Sequence, residues 1–184
     1  MGENKPRIEK QVRENLLYSG RIISLYNDEV ELDNGNHAMR EVVTHPGGSS
    51  ILAINDKDEV YFVRQYRYPM RDFILELPAG KRDNGEDPFE TAKRELHEET
   101  GMEADTWIPL GSSLSSPGCF TERLYLYAAK DLHAVGQHLD EGEYLGVFTI
   151  PYEKALEMVK NGELDDAKTQ LALLKYDALY RHVK

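Results

Sequence analysis

One segment, Gly80 to Met102 (GKRDNGEDPFETAKRELHEETGM), constrains this chain more than any other. It encodes a helix with both ends marked. Asp87 suits the N-cap, Pro88 suits the first helical position, and Glu90 completes a capping box. Gly101 suits the left-handed position that stops a helix. The spacing predicts a helix over residues 88–100. At about 100° per residue, Phe89, Ala92 and Leu96 share one narrow stripe, which predicts core. Glu95 and Glu99 lie one turn apart on an adjoining face, with Glu98 beside them. Carboxylates so close repel one another. Arg94 reaches Glu98 at the i,i+4 spacing, and Glu90 supports Arg94 from the preceding turn. No cation stands at a helical spacing between Glu95 and Glu99. A hard divalent cation would relieve that repulsion, because Mg²⁺ takes carboxylate oxygens and often shares substrate phosphates. The ordinary alternative for such a run is a solvated acidic face.

The rest of the chain sets limits. With 184 residues it is long enough for one domain with a real core. Its formal net charge of −11 makes polymeric nucleic acid a poor partner, since backbone binding needs clustered Lys and Arg. A small anionic substrate is compatible, because metal ions and a few arginines can reverse the field inside one pocket. No apolar run approaches the roughly 20 residues needed to cross a bilayer, so no membrane association is expected. The charged start, MGENKPRIEKQVREN, lacks the apolar core of a secretory signal. The single cysteine, Cys119, allows no intrachain disulfide, which fits a reducing cytoplasm.

Residues 1–45 read as an extended unit, with Arg21 to Leu32 and His37 to Thr44 as two strands around the turn Asp33-Asn34-Gly35. A two-stranded unit is marginal alone and should pack on the main domain or on a second subunit. Pro46-Gly47-Gly48 marks the boundary, with residues 46–184 as the second domain. Strands are predicted at Ser50–Ile54, Val60–Arg67, Phe73–Leu77, Trp107–Leu114, Arg123–Ala129 and Leu145–Ile150. Two helices follow, near Tyr152–Asn161 and Asp165–His182, the second with Ala167, Leu171, Leu174 and Ala178 as its apolar stripe. Strands with intervening helices imply an α/β fold, a mixed sheet covered by helices.

The fixed positions within the first segment identify it. Gly80, Glu86, Arg94, Glu95, Leu96, Glu98, Glu99, Gly101 and Met102 stand at the spacing of the Nudix box. Seven fixed identities at one in ten each give roughly 10⁻⁷ per starting position, so chance is negligible. The chain therefore resembles the Nudix hydrolases over at least residues 46–184. The resemblance implies an α/β/α sandwich with the box as a loop-helix-loop. It implies two or three Mg²⁺ ions (Mn²⁺ being the alternative), with Glu95 and Glu99 as main ligands and the Ala79 carbonyl as another. Glu98 becomes a ligand or a support for one, Arg94 orients the glutamates, and Glu86 is structural.

Features outside the box resemble the ADP-ribose pyrophosphatase subgroup. They are Ser116-Pro117-Gly118, with Pro117 16 residues after Gly101, the run Leu75 to Gly80, Asp166-Ala167-Lys168-Thr169, and the N-terminal unit ending in Arg40-Glu41-Val42-Val43. That resemblance implies a domain-swapped homodimer, with Arg40 and Glu41 near the adenine, Arg67 on phosphate, and Pro117 and Gly118 at the substrate. Otherwise Arg40 and Arg67 are surface strand residues and Pro117-Gly118 is an ordinary turn. In the acidic loop Asp140-Glu141-Gly142-Glu143, it assigns Glu141 as base and Glu143 as a further metal ligand; the alternative is an exposed acidic turn. The implied reaction is attack of metal-activated water on the diphosphate of ADP-ribose, giving AMP and ribose 5-phosphate. Another nucleoside-diphosphate sugar such as GDP-mannose, or a domain that senses ADP-ribose without cleaving it, are the competing expectations.

Overall fold

The computed structural model describes residues 7–139 and 144–182. The chain forms two compact units: one takes residues up to Pro46 with Leu114–Glu122, the other Gly47–Ser113 and the chain from Arg123 onward.

The first unit is a four-stranded antiparallel sheet: β1 (Lys10–Arg13), β2 (Leu16–Ser19), β3 (Ser24–Glu31) and β4 (His37–Thr44). β3 is central. β4 lies along one edge over its whole length, while β1 and β2 share the other edge end to end. The sequence predicts only two of these strands. β1 and β2 have four exposed residues each, too few for an alternation to register, and they exist because β3 offers them an edge. The turn between β3 and β4 needs a left-handed residue, and Gly35 supplies it at φ 81°. The segment 116–121 runs beside the end of β4: Val43 N–H donates to Cys119 O at 2.7 Å, and Thr121 N–H donates to Val43 O at 3.0 Å.

The second unit is built on β5 (Gly48–Ala53), whose six residues are all buried. Such a strand is covered on both faces. It pairs antiparallel with β8 (Ala79–Lys81) and parallel with β10 (Arg123–Ala134), with β9 (Met102–Leu114) beyond. A second antiparallel sheet has the order β11 (Leu145–Pro151), β6 (Glu59–Arg67), β7 (Asp72–Glu76). On one face of β5, Ile51 and Ala53 pack against Ala92 and Leu96 of α1 (Pro88–Thr100). On the other, Leu52 and Ile54 meet α2 (Tyr152–Lys160) and α3 (Ala167–Tyr176) through Tyr152, Ala155, Ala172 and Leu173. This is the expected α/β/α sandwich with a mixed sheet.

Two details differ from expectation. The buried stripe of α3 is Thr169, Ala172, Leu173 and Tyr176. Of the expected Ala167, Leu171, Leu174 and Ala178, Leu171 packs partly against the core, whereas Ala167, Leu174 and Ala178 face solvent. A threonine lies on the inner face because its hydroxyl accepts the buried Leu77 N–H at 2.9 Å. The α-helix also ends at Tyr176 and continues as a π-helical turn, Asp177–Arg181. Among the described residues no helix is long and apolar enough to cross a membrane.

Candidate active site

The helix α1 carries the centre of the site, and its ends are as the sequence predicts. Asp87 accepts from Phe89 N–H, and Gly101 adopts φ 69°. The loop before it is tied down by Glu86, which accepts from Asp83 N–H (3.0 Å) and Thr91 Oγ1 (2.8 Å). Glu86 also receives a fork from Arg94, through Nε at 3.0 Å and Nη2 at 3.1 Å. That bond above all holds the Glu86 carboxyl down to about 2, against the opposing effect of burial. So Glu86, and not Glu90, supports Arg94; Glu90 instead pairs with Lys93 at 2.7 Å. The loop folds back onto the first two turns, a tertiary contact that helical spacing does not register.

Arg94 does more than expected. Its Nη1 donates to Glu98 Oε2 at 2.8 Å and to Glu95 Oε1 at 2.7 Å. No cation was expected at a helical spacing between Glu95 and Glu99; Glu95 instead takes one from its chain neighbour, Arg94. Guanidinium donors point several ways at once, so one arginine reaches both a neighbour in sequence and a residue one turn on. The Arg94 pKa is raised, first by its bond to Glu86 and then, against burial, by Glu95 and Glu98.

Glu95 and Glu99 are 8% and 3% exposed. Glu99 Oε2 accepts from Ala79 N–H at 2.8 Å, so the structure joins Ala79 to Glu99 through its amide. Glu95 lies against Gly80, where a Cβ would fall 1.9 Å from Glu95 Oε1. Arg94 thus serves Glu86, Glu95 and Glu98, and of these Glu95 lies against the bare backbone of Gly80. Among the described residues no three His, Cys, Asp or Glu side chains converge as a ready metal cluster. Glu141 and Glu143 lie outside the described residues.

The chain after β10 closes the far end of α1. Val135 and Gly136 N–H donate to Gly101 O, His138 N–H donates to Glu98 O, and Gln137 Nε2 donates to Glu99 O at 2.6 Å.

Arg67, at the end of β6, donates through Nε to Glu76 Oε1 at 2.6 Å. Burial opposes the Arg67 charge, but Glu76, Glu99 and Asp166 outweigh it and raise the pKa. Glu76 also accepts from Lys168, whose Nζ donates to Asp166 at 2.9 Å. The sequence reading gave Glu76 and Lys168 no role beyond marking a resemblance. The available signal was a carboxylate inside the apolar run Leu75 to Leu77, since a fully buried Glu requires a partner.

The structure thus brings together Ala79, Arg94, Glu95, Glu98 and Glu99, with Arg67 close enough to feel the Glu99 charge. The remaining candidates belong to the first unit. Arg40 on β4 pairs with Glu9, exposed Glu41 follows it, and Pro117 and Gly118 are exposed in the segment beside β4.

A loop-helix with this residue spacing, on an α/β/α sandwich, defines a family. The NUDIX domain model matches residues 44–173, and the chain belongs to that family. It is 39% identical over 167 residues to the ADP-ribose pyrophosphatase of Bacillus subtilis, covering 90% of each chain. It is 41% identical over 169 residues to the methanol dehydrogenase activator of Bacillus methanolicus, again covering 90% of each. The crystal structure of an ADP compounds hydrolase shares the fold at a TM-score of 0.85 and 20% identity, covering 97% of each chain.

Proposed function

We propose that this chain hydrolyses the diphosphate of ADP-ribose, with water, to AMP and ribose 5-phosphate. The observation that carries this reading is the pair Glu95 and Glu99, buried side by side against the backbone of Ala79 and Gly80. Buried carboxylates suit a hard divalent cation, and Gly80, having no side chain, lets the Glu95 carboxylate lie against the backbone. Glu95, Glu99, Glu98, Glu143 and the Ala79 carbonyl would hold Mg²⁺ (or Mn²⁺), as two or three ions. Ions held there would supply the positive charge that offsets the diphosphate and acidifies a water. Arg94 keeps Glu95 and Glu98 turned to one face. Glu141 takes the proton of the water. Arg67 binds a phosphate oxygen. The similarity to an ADP-ribose pyrophosphatase over 90% of the chain supports this substrate.

The first unit is proposed to pair two copies of the chain and to supply Arg40, Glu41, Pro117 and Gly118 to the nucleoside end of the substrate. Its β2 exposes Leu16, Leu17 and Tyr18 in succession, a patch that a second copy would cover. A reducing cytoplasm is the compartment that the lone Cys119 suits. In solution the expected mass is twice the 21.1 kDa of one chain.

The test is turnover of ADP-ribose, GDP-mannose and NADH with Mg²⁺, in the wild-type chain and in Glu99→Gln. Preference for ADP-ribose, release of AMP, and a loss of about a hundredfold in the variant are expected. Preference for GDP-mannose overturns the substrate while keeping the mechanism. ADP-ribose binding without turnover by any cation overturns the hydrolase reading in favour of a sensing domain.

A further inference from the structure

Glu76 is 2% exposed and meets two cations with two different oxygens. Its Oε1 accepts from Arg67 Nε at 2.6 Å, and its Oε2 accepts from Lys168 Nζ. Lys168 is fixed in turn. Its Nζ donates to Asp166 Oδ1 at 2.9 Å, and Asp166 caps α3 by accepting from Thr169 N–H at 3.0 Å. Thr169 Oγ1 accepts the backbone N–H of Leu77, the residue after Glu76. The lysine is thus clamped between a helix start and a strand end.

A carboxylate with both oxygens available takes arginine as a two-bond fork, which is the stronger arrangement. Glu76 makes only one bond to Arg67, through Nε. Among the described residues Arg67 Nη1 and Nη2 carry no hydrogen bond, and the side chain is 40% exposed. The guanidinium therefore turns its outer edge, two Nη donors, away from Glu76. That edge has the spacing of two phosphate oxygens.

We propose that Lys168 is a positioning residue: by occupying Glu76 Oε2 it prevents Glu76 from closing a fork on Arg67, and so keeps both Arg67 Nη groups for one phosphate of the substrate. This rests on the diphosphate reading above. Without Lys168, the Glu76 carboxylate has a free oxygen, rotates to the fork, and withdraws one Nη from the site. The charge of the buried Glu76 is then balanced by Arg67 alone, which tightens that withdrawal.

The experiment is a double-mutant cycle on Lys168 and Arg67. Dissociation constants for ADP-ribose are measured by calorimetry in EDTA, where no turnover occurs. Lys168→Met is expected to weaken binding about tenfold in the wild-type background, the scale of one charge-assisted bond. In the Arg67→Ala background the same change is expected to alter binding by less than about twofold. Equal losses in both backgrounds would mean that Lys168 merely supports the fold, and would overturn the proposal. So would unchanged binding in Lys168→Met. Should that variant fail to melt cooperatively, Lys168→Gln, which drops the charge and keeps a polar side chain, is read in the same way. A wild-type chain that does not bind ADP-ribose overturns the substrate reading, and this inference falls with it. Wild-type binding with no effect at Lys168 overturns the inference alone.

Discussion

Gly80 approaches the Glu95 carboxylate so closely that a Cβ at this position would lie 1.9 Å from Oε1 and 2.0 Å from Cδ. The strand β8 and the helix α1 therefore meet where a backbone without a side chain faces a box glutamate, beside the bond from Ala79 N–H to Glu99. Gly80→Ala is expected to push the carboxylate aside while the buried faces of α1 remain packed. A displacement of that size lowers kcat about a hundredfold. Steady-state kinetics beside a thermal melt check this; a melting point that collapses with the activity would show a folding defect instead.

Gly101 has two reasons to be glycine. It sits at φ 69°, and an added Cβ would fall 2.7 Å from Gln137 N. A left-handed alanine is strained by about 1–2 kcal/mol, and the backbone contact adds to that. Gly101→Ala is expected to lower stability by about 2 kcal/mol or more, read as a shifted denaturant midpoint at unchanged slope.

The depressed Glu86 carboxyl gives stability a definite pH dependence. Its ordinary value is 4.5 and its folded value is about 2. The folded state therefore favours the ionised form, so the contribution is complete above 4.5. It is lost progressively as pH falls from about 4.5 toward 2. Unfolding midpoints of the wild-type chain should fall through that window, and Glu86→Gln should show a shallower fall there. At neutral pH the same variant is expected to lose about 2 kcal/mol, from the broken charge-assisted bonds to Arg94.

Thr169 joins two elements that the chain order separates widely. Its Oγ1 accepts from Leu77 N–H at 2.9 Å and donates to Asp166 Oδ2 at 2.6 Å. Thr169→Val keeps the shape and removes both bonds. It leaves a buried N–H without an acceptor, at a cost of about 1–3 kcal/mol. Chemical denaturation measures that cost, and a change under about 0.5 kcal/mol would refute this role for the hydroxyl.

Helix α1 was legible to the residue because its signals are local. Asp87, Pro88 and Gly101 act on backbone groups within one turn. Strand β4, His37–Thr44, was equally plain, bounded by a turn whose glycine adopts φ 81°, a conformation that favours glycine. The stripe of α3 misled because Thr169 reads as polar and Leu174 as apolar, whereas the hydroxyl has a buried partner and Leu174 faces solvent. Strands β1 and β2 were invisible because their pairing is supplied wholly by β3.

The sequence by itself determined the family, the limits of the box helix, and the identity of the carboxylates on its face, since each is set by spacings of a few residues. Tertiary structure alone decided that Glu86 holds Arg94, that Arg94 serves Glu95 as well as Glu98, and that Glu76 meets Lys168 across 92 positions of chain. The first and last are contacts between elements, and the second depends on how the loop contact from Glu86 sets the Arg94 side chain. A hydrogen bond reaches only about 3 Å. Its partners are chosen by how a sheet and two helices pack, and no periodicity along the chain encodes that choice.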